Sequence, residues 1–487
     1  MEDLPDELLA GILRRVPPRS LAVCRSVCKH WCGAVDTHEL LLAVAHRVPC
    51  SLHGIFVNYV KVRRSGYFSR VTAGTTSQPS IDAIVSWFAS LPGQLTRHRS
   101  VLDHCNGLLL YENKQVHVCN PVTRRRATLP APPRAQTCYS HLPYYRHRMY
   151  LMFDPTMSLH YHVLFFPDAP DRPKPPYFQP AGVSQFIRAN YEHECNTLGV
   201  MEWPPYMYPL QVFSSKTGRW EEKQFVRQGD AAVTVSDVWS DGSSPISCQD
   251  GLRRHAVYWR ASFYVYCDTG FIMRLSLEDQ KYLAIKTPRL DITGCKRHLK
   301  TYEYLGKSKH GVYFTAFHGY QLKVWVLSNT LESCRTPEWE LKHQADLEPN
   351  LKLHYNRHFR REKYEKCWIL DSCDEESESD EEFENSGDYA WDSSDDSVID
   401  VEGGINMDYK DYYFAVDLLG YHPYREIAFL GNRFQGFAYY LDNSKLKYLG
   451  SSYPSYLNKH DRRLLPMLES SIYTPSMDDM LPVQNDA

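Results

Sequence analysis

The sequence lacks the features that mark secreted and membrane-spanning proteins. Its first residues, Met1–Pro5, have no basic region followed by an apolar core of the signal-peptide type. No stretch approaches the ~18 uncharged apolar residues that a membrane-spanning helix needs. The 14 cysteines are scattered rather than arranged in close pairs. We therefore expect reduced, mostly buried thiols in a cytosolic or nuclear protein.

Common catalytic and metal-binding motifs are also missing. There is no Gly-x-Ser-x-Gly elbow, Walker loop, His-Glu-x-x-His helix or dinucleotide-binding glycine pattern. Cys24, Cys28 and Cys32 recur at four-residue spacing near His30, but structural zinc generally uses closer Cys pairs joined by a turn. We therefore predict no catalytic residue, no metal site and no cofactor.

Charge of neither sign dominates the chain. With 55 basic and 58 acidic residues the formal net charge is −3, which gives no reason to expect nucleic acid or an acidic membrane surface as a partner. The basic run Arg124–Arg126 lies in a predicted hairpin, where alternation sends its side chains to opposite faces. Neither nucleic acid nor a membrane is predicted as a partner.

What the sequence does contain is typical of a large globular protein rich in β-structure. Of its 487 residues, 43% are hydrophobic and 23% charged, and this length suggests more than one domain. Aromatic residues make up 13%, with 34 tyrosines, and proline outnumbers glycine by 30 to 25. This composition favours many short strands joined by turns.

The first forty residues differ, because their periodicity is helical. Apolar side chains recur there at three- and four-residue spacing: Leu8, Leu9, Ile12, Leu13 and Val16. Pro17 and Pro18 end this helix, and Ser20 can cap a second helical stretch. A unit of about 40 residues rarely buries enough surface to be stable alone. The excess apolar surface is therefore interpreted as a docking face for another protein.

These residues resemble an F-box. The matching segments occur in the expected order and spacing: Leu4–Leu9, Ile12–Leu13, Val16–Leu21 and Arg25–Trp31. The resemblance implies binding to a Skp-type adaptor and, through it, to a cullin-based ubiquitin ligase. It implies these adaptor-binding residues: Leu4, Pro5, Leu8, Leu9, Ile12, Leu13, Pro17, Leu21, Val27, Cys28 and Trp31. For any one of them, packing within the module's own helices is the alternative interpretation.

Short alternating runs dominate from Pro49 to about Trp368, and the same pattern returns near the end of the chain. One stretch, Ile81–Leu91, is predicted to form a short helix. Turn signals such as Asn106-Gly107 and Asn120-Pro121 separate strand-like runs. Further predicted hairpins or strand–turn units are Leu210–Trp220, Phe271–Ile285, Leu322–Asn329 and Phe437–Leu449.

The spacing of these hairpins predicts a repeat domain. Successive copies lie roughly 50 to 60 residues apart or twice that distance, close to the ~40–50 residues of a propeller blade. A propeller of about six blades would account for Pro49–Tyr456. A split β-sandwich and an incomplete barrel remain alternatives.

The same region carries a second resemblance, to the F-box-associated region of plant F-box proteins. The matching segments are Cys105–Leu110, Asn120–Arg125, Phe153–Pro155, Val212–Trp220 and Ala256–Trp259. That family is a kelch-related, propeller-like scaffold that serves as a substrate receptor. Gln136–Glu202 matches poorly and is expected to be a distorted blade with long surface loops.

One segment breaks the β pattern. From Asp371 to about Gly404 the chain is strongly acidic and contains no Lys or Arg, which predicts a disordered insertion between the last two blades. It is interpreted as a solvated loop; the alternative is an interaction loop for a basic partner, or a kinase target at Ser377, Ser379 or Ser393. Beyond Pro454 the chain turns polar, and Ser470–Ala487 is expected to be an unpacked tail.

The predicted fold class is mainly β: a helical F-box (1–45), then a β-propeller-like domain (50–456) with a disordered acidic insertion (371–404), then a polar tail (457–487). The predicted function is that of a non-catalytic substrate-recognition subunit of a Skp–cullin–F-box ubiquitin ligase. A scaffold whose F-box serves assembly without ubiquitin transfer is the alternative, and a propeller hydrolase or oxidase is disfavoured. Receptor specificity lies in variable loops, so the target protein and its binding residues remain unassigned.

Overall fold

The computed structural model describes residues 6–16, 24, 27–38, 40, 52, 54–59, 66–70, 100–112, 115–133, 147–155, 157–170, 172–173, 185–241, 256–267, 270–288, 301–328, 337–349, 351, 368–371, 416–432, 435–451, 467–476 and 481. Strands dominate these residues, and the described helices are α1 Asp6–Leu13, α2 Lys29–Thr37, α3 Gln185–Gly199 and α4 Val235–Asp241. None of these helices is long and apolar enough to cross a bilayer.

The amino-terminal helices α1 and α2 pack against each other. Their shared core consists of Leu9, Ala10, Leu13, Ala34, Val35 and Leu40, with Val16, Cys24 and Trp31 at its edge. The predicted first helix is confirmed, although α1 ends at Leu13. Arg15 and Val16 then form tighter turns, with their amides bonded to the carbonyls of Ile12 and Leu13 at 3.0 and 3.1 Å. This tightening ends the helix just before Pro17.

The strands follow in chain order. Those before α3 are β1 Gly54–Tyr59, β2 Gly66–Arg70, β3 Ser100–Cys105, β4 Leu108–Glu112, β5 Val116–Asn120, β6 Arg125–Thr128, β7 His147–Asp154 and β8 Ser158–Pro167. Those of the middle are β9 Glu202–Trp203, β10 Met207–Ser214, β11 Arg219–Gln228, β12 Val233–Thr234, β13 Ala256–Trp259, β14 Ser262–Cys267, β15 Phe271–Ser276, β16 Lys281–Lys286, β17 Thr301–Ser308, β18 Gly311–His318, β19 Gln321–Leu327 and β20 Trp339–Asp346. The last are β21 Trp368–Asp371, β22 Val416–Tyr421, β23 Ile427–Asn432, β24 Gln435–Tyr440, β25 Lys445–Ser451 and β26 Met467–Tyr473.

Apart from the short pair β9–β12, these strands form six four-stranded antiparallel units. Blade 1 is β3–β6, blade 2 is β7, β8, β10 and β11, blade 3 is β13–β16, blade 4 is β17–β20 and blade 5 is β22–β25. The sixth, called here the closing blade, has the strand order β26-β1-β2-β21. The inner strands β26, β3, β7, β13, β17 and β22 contact one another in this order, and β22 returns to β26. The prediction of a mainly β, propeller-like domain is confirmed.

Each pair of neighbouring blades shares a separate apolar cluster. The largest lies between blades 2 and 3 and is rich in aromatic residues, including Tyr208, Phe225, Phe263 and Tyr282. Corresponding clusters occupy the other five blade–blade interfaces of the ring. A lone four-stranded sheet would leave its apolar faces in water, so the ring is stabilised by these interfaces.

The closing blade is assembled from three distant parts of the chain. Strands β1 and β2 precede blade 1, β21 lies between blades 4 and 5 in sequence, and β26 comes from the carboxyl-terminal region. In β26, Ile472 pairs with Ile55 of β1, and Tyr473 is 1% exposed. The expectation that 470–487 is an unpacked tail is therefore wrong for residues 470–473, because this strand supplies the inner edge of a blade.

The poorly matching segment Gln136–Glu202 contains a helix that the sequence interpretation missed. Strands β7 and β8 there pair with each other, with a register shift between Met152 and Asp154, and they are followed by the 15-residue helix α3. Between residues 190 and 199, only Leu198 and Gly199 of α3 are buried. With so narrow an apolar face, the helix shows little of the periodicity that marks an amphipathic helix.

The predicted hairpins at Asn106-Gly107 and Asn120-Pro121 are confirmed as the β3–β4 and β5–β6 connections. Those at Leu210–Trp220, Phe271–Ile285 and Phe437–Leu449 are also confirmed. The predicted helix Ile81–Leu91 and residues 372–404 of the acidic segment lie outside the described residues. Asp371, where the predicted insertion begins, is the last residue of β21.

Candidate functional site

One candidate site is an apolar surface on the amino-terminal helices. Leu8 and Ile12, one turn apart on α1, are 61% and 54% exposed, and Val27 is 61% exposed. Leu9 and Leu13, at the same four-residue spacing on another face, are 3% and 1% exposed. The helix thus has two apolar faces, one packed on α2 and one open to solvent.

The structure places the predicted adaptor-binding residues in different environments. Leu8, Ile12, Val27 and Cys28 are exposed, Trp31 is half-buried at the edge of the helical core, and Leu9 and Leu13 lie inside that core. Leu4, Pro5, Pro17 and Leu21 lie outside the described residues. The two core leucines match the alternative interpretation, packing within the module, and the exposed residues form what we call the helical docking face: Leu8, Ile12 and Val27.

The cysteines of this module are not arranged around a common point. Cys28 is exposed and its sulfur accepts a hydrogen bond from the Trp31 amide at 3.5 Å. Cys24 is half-buried at the edge of the helical core. Within the described ranges, no group of three or more His, Cys, Asp or Glu side chains is placed to hold a metal ion.

The second candidate site is a cavity of about 120 Å³ on the axis of the ring, called here the central cavity. All six inner strands contribute to its lining. Its lining runs from strand residues such as Tyr150 and Ala256 to residues that follow the inner strands, including Asn106, Pro423 and Thr474. It therefore reaches the face of the ring on which the inner strands end.

Asp103 of β3 places a carboxylate in this cavity. Its Oδ1 accepts a hydrogen bond from the His104 amide at 2.8 Å, and its Oδ2 accepts one from the Leu151 amide at 2.7 Å. Burial raises the pKa of Asp103 to about 7, against the opposing effects of these two amides and of the Lys307 charge. The two amides fix the carboxylate between blades 1 and 2.

Glu469 of β26 places a second carboxyl group in the same cavity. Burial raises its pKa to about 8; the Arg148 charge and a hydrogen bond from the Asn58 side chain oppose the rise, and the negative charge of Asp103 adds to it. Asn58 also donates to the Val101 carbonyl at 3.0 Å, which anchors it between the closing blade and blade 1. The two carboxyl groups thus influence each other's protonation in a site poorly solvated by water.

Lys307 of β17 supplies a positive charge at the same end of the cavity as Asn106. Its Nζ donates to Asn106 Oδ1 at 3.2 Å and to the Tyr258 carbonyl at 3.4 Å. Both acceptors are neutral, and among the ion pairs of the described residues none joins Lys307 to Asp103 or Glu469. Three blades therefore contribute three charges that do not pair directly.

Cys105 lies beside these groups but is not a reactive thiol. It is 4% exposed, and its Sγ donates to the Phe153 carbonyl at 3.0 Å. Burial raises its pKa to about 11, so little thiolate forms at neutral pH. This agrees with the sequence interpretation, which gave Cys105 no special role.

The sequence interpretation missed the charged residues of the central cavity. Asp103 and Lys307 occur in Val101-Leu102-Asp103 and Leu305-Gly306-Lys307, but β3 and β17 also contain other polar residues, including His104 and Glu303. Neither charge therefore stands out in the sequence. Glu469 gave no signal, since its segment was assigned to the tail.

Comparison with known proteins identifies the amino-terminal region. Residues 1–42 match the F-box domain family. A 135-residue segment, 27% of this chain, is 30% identical to an F-box/kelch-repeat protein of Arabidopsis thaliana and spans 30% of that protein's length. Among solved structures, AztD of Citrobacter koseri aligns over 73% of this chain and 72% of its own, with 8% identity and a TM-score of 0.24.

The chain therefore has an amino-terminal region that matches the F-box domain family, residues 1–42, followed by a propeller-like β domain of six blades.

Proposed function

We propose that this protein is a substrate-recognition subunit of a Skp–cullin–F-box ubiquitin ligase. The F-box match at residues 1–42 carries this proposal, because F-box domains generally bind Skp-type adaptors. The exposed face formed by Leu8, Ile12 and Val27 supports it, since a helical module of this size leaves apolar surface that a partner can cover.

In this role the protein is not itself a catalyst. The F-box docks on the adaptor and through it on a cullin, while the propeller holds a target protein near the ubiquitin-charged enzyme. Holding an acceptor lysine close raises its effective concentration, which accelerates a reaction carried out by other subunits. F-box/kelch proteins are generally such non-catalytic adaptors. The seven described cysteines are not joined by disulfides, which supports a role in the cytoplasm or nucleus.

Co-purification of the full chain with a Skp-type adaptor tests the proposal. Leu8→Asp and Ile12→Asp place a charge on the helical docking face and are expected to abolish adaptor binding. Leu341→Asp is the matched control, because Leu341 is 50% exposed on β20 of blade 4. Absence of adaptor binding by the unmodified chain, with another F-box protein binding in parallel, would overturn the proposal.

Target turnover separates a ligase receptor from a scaffold. Proteins captured by the propeller are expected to accumulate on proteasome inhibition, and this accumulation should require an intact docking face. Adaptor binding with unchanged abundance of every captured protein would assign the scaffold role instead.

A further inference from the structure

The central cavity contains ionisable groups whose present partners leave part of their binding capacity unused. Asp103, Lys307 and Glu469 come from blade 1, blade 4 and the closing blade. An ammonium group has three donors, and two of those of Lys307 bond to the neutral acceptors on Asn106 and Tyr258. Arg148, the cation that influences Glu469, forms an ion pair with Asp168 at 3.3 Å.

These charges are separated along the axis of the ring. Lys307 is the penultimate residue of β17 and contacts Asn106, which directly follows β3. Asp103 precedes Asn106 by three residues, which corresponds to about 10 Å along a strand. Glu469 precedes the rim residue Thr474 by five residues. The positive charge therefore lies at the rim of the cavity, and the two carboxyl groups lie deeper.

We propose that the central cavity binds an elongated zwitterion, namely a basic amino acid with a free α-carboxylate. Its ammonium or guanidinium group lies deep in the cavity beside Asp103 and Glu469, and its carboxylate accepts from Lys307 at the rim. A cation between the two carboxylates relieves their mutual repulsion, and the carboxylate completes the donor set of Lys307.

The size of the cavity fits this ligand. A volume of about 120 Å³ accommodates on the order of ten water molecules, or ~300 Å³ of liquid, at the lower end of small-ligand pockets. An amino acid with a long side chain displaces a similar volume. The ligand is either a free amino acid or the carboxyl-terminal residue of another protein, and only the latter source rests on the proposed receptor function.

Titration calorimetry with the full chain tests the charge arrangement. L-Arginine and 4-guanidinobutyrate carry both charges and are expected to bind. Agmatine lacks the carboxylate and L-citrulline lacks the side-chain cation, so each is expected to bind at least tenfold more weakly than arginine. Failure of every compound to bind at millimolar concentration, or equal binding of all four, would overturn the proposal.

Two variants test which residues contact the carboxylate and the cation of the ligand. Lys307→Met should remove the preference for arginine over agmatine while leaving agmatine binding unchanged. Glu469→Gln should remove the preference for arginine over citrulline. The matched controls Lys216→Met and Glu340→Gln alter exposed residues outside the cavity and should retain both preferences. If the two cavity variants fold and also retain both preferences, the assigned site is wrong.

Binding of peptides that end in arginine distinguishes the two sources of the ligand. If a protein terminus is the ligand, a peptide with a free carboxyl terminus should bind at least tenfold more tightly than its amidated form and than free arginine. If the ligand is a free amino acid, arginine should bind more tightly than either peptide. Both cavity variants should still co-purify with the adaptor. An unmodified chain that binds the adaptor but none of these ligands would contradict this inference and not the proposed function.

Discussion

The side-chain amide of Asn120 donates a hydrogen bond to the main-chain carbonyl of Ser476, 356 positions further along the chain, at 2.9 Å. The contact joins the end of β5 in blade 1 to the segment that follows β26. A Cβ placed on Gly107 would lie 2.4 Å from Cβ of Ser476, so the β3–β4 turn also contacts this segment closely. Leu481 is then buried among residues of blades 1 and 2. Residues 467–476 and 481, called here the carboxyl-terminal strap, thus hold three blades together.

Removal of residues 467–487 is expected to open the ring. The truncation deletes the inner strand of the closing blade and exposes the edges of β1 and of the adjoining cores. We expect a lower and broader thermal transition, together with oligomers in size-exclusion chromatography.

A shorter truncation provides the control. Removing only residues 482–487 leaves every described contact of the strap in place, and the melting temperature should match that of the full chain. If the longer truncation also melts like the full chain, the closing role of β26 is wrong.

Gly420→Ala is expected to destabilise the protein more than Gly218→Ala. Both glycines have positive φ, +136° and +68°, so alanine costs about 1–2 kcal/mol of backbone strain at either site. A Cβ at position 420 would also lie 2.5 Å from Cγ1 of Ile472, whereas nothing lies within 4 Å at position 218. Overpacking adds about 1–3 kcal/mol at position 420. Urea denaturation measures the difference in the free energy of unfolding between the two variants. Equal denaturation midpoints would show that β22 and β26 move apart to accept the extra methyl group without loss of stability.

Glu469→Gln is expected to stabilise the protein at alkaline pH. Burial raises the pKa of Glu469 from 4.5 to about 8, so the folded state binds the proton more tightly than the unfolded state. The carboxyl's contribution to stability is therefore full below about pH 4.5 and is lost as the pH rises through 8. The neutral amide avoids this loss, although Asp103, Arg148 and Asn58 still face the site.

Melting temperatures at pH 5.5 and 8.5 test this sign. The variant should gain several degrees over the wild type at pH 8.5, and the gain should shrink at pH 5.5. Glu340→Gln, at an exposed position, should show no such pH dependence. A larger gain for Glu469→Gln at the lower pH would contradict the assignment.

Leu8 and Leu9 are adjacent, but substitution of Leu9 should reduce the stability of the module, whereas substitution of Leu8 should reduce adaptor binding. Leu9→Ala leaves a void in the helical core and should cost about 2–5 kcal/mol of the module's stability. Leu8→Asp should leave the helical circular dichroism unchanged and reduce adaptor binding at least tenfold. Unfolding of the module by Leu8→Asp would mean that Leu8 is a core residue.

Alkylation is expected to discriminate between the cysteines. Cys28 is exposed, whereas burial raises the pKa of Cys105 to about 11 and that of Cys119 to about 12. Since the thiolate is the reactive form, iodoacetamide at pH 7.5 should modify Cys28 well before the other two. Peptide mass spectrometry over a time course measures the order, and early labelling of Cys105 would show that the cavity wall opens.

Much of the β-domain could be predicted because turns have local causes. Asn106-Gly107 forms a hairpin since both residues adopt positive φ, 45° and 92°. The number of blades was less accessible, because the closing blade takes strands from three places in the chain. No local pattern in Met467–Tyr473 reports a pairing partner that lies more than 400 residues earlier.

The functional residues also divide into those that local sequence can predict and those that only the closed ring brings together. The F-box can be recognised from the spacing of its apolar residues, but spacing does not show that Leu9 faces the core and Leu8 the solvent. The central cavity was beyond prediction, since Asp103, Lys307 and Glu469 meet only once the ring has closed. Their proximity is a property of the ring as a whole, and no single blade contains it.

The scattered origin of the closing blade also affects the order of events during protein synthesis. About 400 residues separate the end of β1 from the start of β26, which corresponds to about 20–80 s of translation. Throughout this time β1 remains without its neighbour β26, and β2 remains without β21 until Trp368–Asp371 has been synthesised. Ring closure therefore waits for the synthesis of β26, and until then the nascent chain presents an apolar strand edge that a chaperone can cover.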